Sequence, residues 1–174
     1  CLQSHRVYLA NSSVTINGGA TLTIRPGAII KFANGCSMNV KGTLVVEGTR
    51  AAPVVFTSDK DDDWGGDTNE DGDDTYAQAG DWIGLICNGG RVQLGYAMLR
   101  CGGFGQYANQ GDATVRCNSG MITMDNCTVE GSALRLLGAN GGSVVASNTV
   151  LNDGRWGWDG NVTFINGVVN NCTI

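Results

Sequence analysis

The chain has 174 residues, of which 27 are glycine, with 16% charged residues, 42% hydrophobic residues and a net charge of −5 at pH 7. That length fits one domain spanning 1–174, and the apolar content is that of a folded chain. The acidic balance argues against nucleic acid as a partner, and no apolar run reaches the roughly 20 residues of a transmembrane helix.

Short strands with period-two alternation begin near the N-terminus. GATLTIRPGAIIKF from Gly19 and GCSMNVKGTLVVEG from Gly35 align 16 residues apart. This alignment sets Leu22 against Met38, Ile24 against Val40 and Arg25 against Lys41. Val54, Val55 and Phe56 supply a further apolar strand.

An insertion, 58–81, then interrupts the pattern, with nine aspartates and one glutamate between Asp59 and Asp81. Its centre, D-T-N-E-D-G-D at 67–73, follows the first seven positions of a calcium loop, with Gly72 at the tight sixth position. Hard Ca²⁺ takes six to eight oxygens. The spacing turns Asp67, Asn69 and Asp71 toward one centre, with Asp73 offering its backbone carbonyl. The twelfth position is Gln78, so this is no EF-hand, and another carboxylate must close the shell. Asp63, Asp74 and Asp81 are candidates, with Asp63 preferred. The expected role of the ion is structural: it neutralises the cluster and pins the insertion to the side of the fold. The alternative is a solvated acidic loop whose charges repel.

Beyond the insertion four segments align on glycine, at Gly90, Gly120, Gly142 and Gly160. Two places later stand Val92, Ile122, Val144 and Val162; four places later Leu94, Met124, Ala146 and Phe164; nine places later Leu99, Val129, Leu151 and Val169. Tyr96, Asn126, Asn148 and Asn166 stand six places after the glycine. Self-similarity at this period marks a solenoid. One circuit of about 20 residues cannot bury its own apolar face, so circuits must stack at the strand spacing of about 4.8 Å. The expected fold is an all-β, right-handed parallel β-helix of about six or seven circuits, since crossovers between parallel strands are nearly always right-handed. Asparagine suits the bend because it tolerates left-handed backbone. A stack of Asn126, Asn148 and Asn166 is expected to pass side-chain amide hydrogen bonds between circuits.

Trp156 and Trp158 stand in RWGWDG near a turn. Two exposed rings there could stack on a sugar; equally, one ring could cover the core while the other packs a loop. The chain closes on strand-like sequence, so its open edge is expected to stack on more chain or on another copy, end to end. Seven cysteines without C-x-x-C, and a single histidine, exclude zinc and haem signatures. At least one disulfide is expected, in keeping with a calcium-bearing extracellular chain. Cys1 suits lipid attachment, or marks an excised boundary.

The stretches GATLTIRPGAIIKF, KGTLVVEGTRAAPVVFTSDKDD and GGDTNEDGDD…AGDWIGL resemble the parallel β-helix, pectin-lyase-like repeat modules of bacterial secreted and surface proteins. The resemblance runs from about Val7 onward and implies the right-handed β-helix and an extracellular or cell-surface location. Its members serve as adhesins, scaffolds and polysaccharide-cleaving enzymes. A lyase of this kind would use an arginine base beside calcium, for which Arg91, Arg100 and Arg116 are available. A hydrolase needs two carboxylates at a set separation. Outside the insertion only Glu47, Asp112, Asp125, Glu130, Asp153 and Asp159 occur, and no two share a phase on adjacent circuits. The expected function is therefore a non-catalytic structural or adhesive module, calcium-stabilised, partnered by copies of itself or a surface polysaccharide. The alternatives are a carbohydrate-binding module and a polysaccharide lyase or hydrolase fragment.

Overall fold

The computed structural model describes residues 1–104 and 113–172. Among these are thirteen strands and no helix, so no helix is long and apolar enough to cross a membrane. The first seven strands are β1 (Val7–Ala10), β2 (Val14–Ile16), β3 (Thr21–Ile24), β4 (Ile29–Phe32), β5 (Ser37–Val40), β6 (Thr43–Glu47) and β7 (Val54–Ser58). The remainder are β8 (Gly84–Gly95), β9 (Ala97–Arg100), β10 (Ala113–Asp125), β11 (Thr128–Ser147), β12 (Val150–Ile165) and β13 (Val168–Asn170). Every pairing between these strands is parallel. The sheet winds about 284° round an axis. This is a parallel β-helix.

Three faces repeat along the axis. The first stacks β1, β4, β7, β9 and the opening residues of β11 and β12, then β13. The second stacks β2, β5, the leading parts of β8 and β10 and the middle parts of β11 and β12. The third stacks β3, β6 and the trailing parts of β8, β10, β11 and β12. Circuits start at Val7, Ile29, Val54, Ala97, Thr128 and Val150, and a seventh opens at Val168.

The apolar positions of the glycine frame form the core columns. Leu44, Val92, Ile122 and Val144 lie in register on the third face, all fully buried. Leu99, Val129 and Leu151 do the same on the first. Gly42, Gly90 and Gly120 lie one above another just before that third-face strand. A Cβ on Gly120 would sit 2.2 Å from the Gly90 carbonyl oxygen, and its φ is +90°. Backbone of one circuit runs where a side chain of the next would be, so glycine recurs there.

The N-terminal register differs from the 16-residue alignment. Leu22 lies on Leu44 and Ile24 on Val46, while Met38 lies on Val14 and Val40 on Ile16. The true repeat is 22 residues on the third face, as Thr21 on Thr43 shows. Strands β3 and β5 both alternate with period two, so the alignment slid a third-face strand onto the second face.

The asparagine bend holds in its backbone. Tyr96, Asn126, Asn148 and Asn166 have φ of 47°, 53°, 48° and 50°. Each circuit's bend is tied to the next: Tyr96 N–H donates to Asp125 O at 3.0 Å, Asn126 N–H to Ser147 O at 3.2 Å and Asn148 N–H to Ile165 O at 2.9 Å. The side chains depart from the expected amide chain. The amides of Asn126 and Asn148 both donate to the Asp125 carboxylate, at 2.8 and 2.9 Å, because at this corner they turn outward. The amide ladder forms on the second face, where Asn118 Nδ2 donates to Asn88 Oδ1 at 2.9 Å and Asn88 Nδ2 to Asn39 Oδ1 at 3.3 Å. A second left-handed corner stacks Cys101, Gly131, Asp153 and Asn171, with φ of 60°, 62°, 53° and 51°.

All seven cysteines are free, contrary to the expected disulfide. Five are buried and act as small core residues. Cys87 lies in register with Cys117. Side chains stacked in register on parallel strands stand about 4.8 Å apart, wider than the roughly 3.5–4.5 Å between Cβ atoms in a disulfide.

Candidate functional site

The insertion leaves the first face after β7 and returns at β8. Its return is fixed by Trp82, fully buried, stacked on Phe32 at 4.5 Å with planes 6° apart. The Trp82 indole N–H donates to the Arg100 carbonyl at 2.7 Å. The loop lies over the outside of the first face. Lys31, Val55 and Thr57 project outward from that face yet are fully buried beneath it. At its edge, a Cβ on Gly65 would lie 2.9 Å from Val7 Cγ2.

Charge holds the underside. Asp61, 3% exposed, accepts from the Thr57 hydroxyl and pairs with Arg100 at 3.1 Å, which also pairs with Glu130 at 2.8 Å. Lys60 pairs with Asp81 at 3.3 Å. Lys31 Nζ donates to the Gly66 carbonyl at 2.7 Å. Burial pushes the Lys31 ammonium below its ordinary range, while Asp62, Asp61, Asp59 and Asp67 pull it back.

The upper side gathers the carboxylates of Asp62, Asp67 and Asp71, whose nearest oxygens all lie within 4.8 Å of one another. Asp67 shapes the turn: its oxygens accept from Asp71 N–H at 3.2 Å and Gly72 N–H at 2.9 Å. Asn69 Nδ2 donates to Asp71 at 2.7 Å, as does the Thr75 hydroxyl at 2.5 Å. Three further oxygens, Asp62 Oδ1, Asn69 Oδ1 and Asp71 Oδ1, are shielded from solvent and have no hydrogen-bond donor. Desolvation, then the Asp67 carboxylate, raise the Asp62 pKa, with Lys31 opposing. Such a set of hard oxygens suits Ca²⁺ or another hard divalent ion.

Three of the residues picked from the loop spacing, Asp67, Asn69 and Asp71, thus lie together. The carboxylate beside them is Asp62 rather than Asp63. Asp63 and Asp73, together with Asp62 itself, line a neighbouring cavity of about 250 Å³ beside Lys60, Tyr76 and Arg100. Adjacent aspartates point to different sides of a turn, and the pattern 61–63 alone does not say which one faces inward. Lys31 was invisible as part of the site, since it lies 36 residues upstream of Asp67 and arrives only through the stacking of circuits.

The tryptophans have different surroundings. Trp158 packs on the core and stacks on Phe164 at 5.4 Å. Trp156 is held between two guanidinium groups, Arg135 at 5.1 Å and Arg155 at 4.5 Å. The carboxylates outside the insertion are engaged at circuit corners and edges. Glu47 pairs with Arg25 at 2.5 Å, Glu130 with Arg100, and Asp159 with Arg135 at 3.3 Å. Asp125 holds Asn126 and Asn148, and Asp153 accepts from Asn171 at 3.0 Å. Asp112 lies outside the described residues.

A family model for a pectate-lyase-like beta helix domain matches residues 1–68. The match takes in β1 to β7 and ends inside the insertion. No curated protein and no solved structure gives a match.

Proposed function

We propose that the chain is a non-catalytic structural or adhesive module of an extracellular or cell-surface protein, with its insertion stabilised by a calcium ion. The observation that carries the reading is the set of donor-free oxygens on Asp62, Asn69 and Asp71, beside the Asp67 carboxylate. Buried oxygens without donors are costly, and a hard cation removes that cost. The ion is held by Asp62, Asp67, Asn69 and Asp71, and its work is to neutralise the loop rather than to activate a substrate. The non-catalytic role is supported by the carboxylates outside the insertion among the described residues, which are spent on ion pairs and on corner asparagines. The partner in this reading is a second copy or a surface polysaccharide.

Calorimetric melting with calcium and with EGTA tests the reading. Calcium should raise the melting temperature, by about 2.7 kcal/mol of added stability at a hundredfold excess over Kd. Asp71→Ala should abolish most of that gain. Superimposable melts with and without calcium would end the calcium reading.

A further inference from the structure

We infer that Asn17 is a site of spontaneous deamidation in the folded protein, and that the stacking of circuits shields the other asparagine–glycine pairs. In such a pair the backbone nitrogen of the glycine attacks the side-chain carbonyl carbon of the asparagine. A five-membered succinimide closes, and the side-chain nitrogen leaves as ammonia, taking the glycine N–H proton. Water then opens the ring. Addition at the former side-chain carbonyl gives aspartate; addition at the main-chain carbonyl gives isoaspartate, in which the backbone runs through the side chain. Glycine favours the attack because no Cβ crowds its nitrogen. The step also needs local freedom to rotate and an N–H that no carbonyl holds.

The sequence has five such pairs, beginning at Asn17, Asn34, Asn88, Asn140 and Asn166. Exposure alone does not separate them, since Asn34, Asn140 and Asn166 are exposed as Asn17 is. Four are held. Gly35 N–H donates to the Asp81 carbonyl at 3.0 Å. The Asn88 side chain is tied at both ends by the amide ladder, to Asn39 and from Asn118. Gly141 lies inside β11, where a Cβ would stand 2.7 Å from the Asn118 carbonyl oxygen of the circuit below. Asn166 is fixed in the left-handed bend at a φ of 50°, and the Phe164 ring fills the space of a Gly167 Cβ. Asn17 differs on each count. Residues 17–20 are exposed and belong to no strand. The Asn17 side chain makes no hydrogen bond, and the Gly18 N–H has no acceptor among the described residues. Apart from chain neighbours, nothing lies within 4 Å of a Cβ placed on Gly18 or Gly19. A single bond closes the turn, from Ala20 N–H to the Asn17 carbonyl at 3.0 Å.

The change falls where the first circuit seats on the second. A Cβ on Gly42 would run into the Asn17 and Ala20 carbonyl oxygens, so the turn rests directly on Gly42. Aspartate at 17 adds a negative charge to that seat, and isoaspartate lengthens the turn by one backbone carbon. Ageing the whole chain at mildly alkaline pH, folded and in urea, followed by peptide mapping with mass spectrometry, reads each pair separately. In urea all five should react at similar rates, because glycine follows each asparagine. In the folded protein Asn17 should stay close to its urea rate. The other four should fall below theirs by about fivefold or more, the factor set by one retained hydrogen bond of about 1 kcal/mol. Gly18→Val, at a position with open space around it, should suppress the reaction at Asn17 and leave the other four unchanged. Protection of Asn17 as strong as that of the other pairs, a second pair reacting as fast as Asn17 in the folded chain, or a Gly18→Val protein that loses its Asn17 amide at the wild-type rate would each overturn the inference.

Discussion

Trp82→Ala probes the joint between insertion and solenoid. The side chain is fully buried, stacked face to face on Phe32 at 4.5 Å, and donates to Arg100 O at 2.7 Å. Truncating a buried aromatic ring costs about 3–5 kcal/mol, a figure that includes the cavity left behind. The lost indole hydrogen bond adds about 1 kcal/mol. We expect about 4–6 kcal/mol in total, a large share of the roughly 5–15 kcal/mol that holds a domain together. Trp82→Phe keeps a ring on Phe32 but loses the N–H, and should cost about 1–2 kcal/mol. Urea unfolding at equilibrium measures both. With a slope of about 2 kcal/mol/M, the alanine variant should unfold roughly 2–3 M earlier. Amides of 59–81 should also exchange faster in that variant, because the residue that returns the loop to β8 is gone. A Trp82→Ala protein within about 1 kcal/mol of wild type would refute the account of this joint.

Three further outcomes are expected. Gly120→Ala forces a Cβ to within 2.2 Å of the Gly90 carbonyl oxygen at a φ of +90°, and should cost more than about 2 kcal/mol in the same urea assay. Asn148→Ala places a residue with a Cβ and no compensating amide at a φ of 48°, and should cost about 1 kcal/mol, whereas Asn148→Gly should be near neutral. Burial holds the thiols of Cys101, Cys117 and Cys127 up to about 11, against an ordinary value of 9.0. Folded pKa values above unfolded ones give stability that is complete below the unfolded value and lost as pH rises, so in reductant the unfolding free energy should decline between about pH 9 and 11. A flat profile across that interval would contradict the burial of these thiols.

The central circuits were legible because each position carried one consistent residue type. Glycine lacks a side chain where a carbonyl of the circuit below intrudes, and apolar residues two, four and nine places on share the core. The second left-handed corner was not legible. Cys101, Gly131, Asp153 and Asn171 share a backbone conformation but no side-chain chemistry, so nothing in their identities announces the shared φ. The N-terminal register failed for a different reason. Period-two alternation in β3 and β5 is the same on two faces, and only pairing fixes which strand lies on which. The amide ladder was misplaced because asparagine serves two ends, a left-handed backbone at one corner and side-chain bonding on the second face. Within the insertion, local spacing located Asp67, Asn69 and Asp71, since a calcium-type turn is a local structure. It could not locate Lys31 or choose Asp62 over Asp63, which depends on how the loop settles on the first face.

Scalar couplings across hydrogen bonds test the stack itself. At 18.2 kDa the protein is within reach of NMR with isotopic labelling. The account predicts a coupling from Asn148 N to the carbonyl carbon of Ile165, and another from Asn126 N to that of Ser147. Couplings from these amides to carbonyls on antiparallel neighbours, or to residues other than those 17 and 21 places ahead, would contradict it.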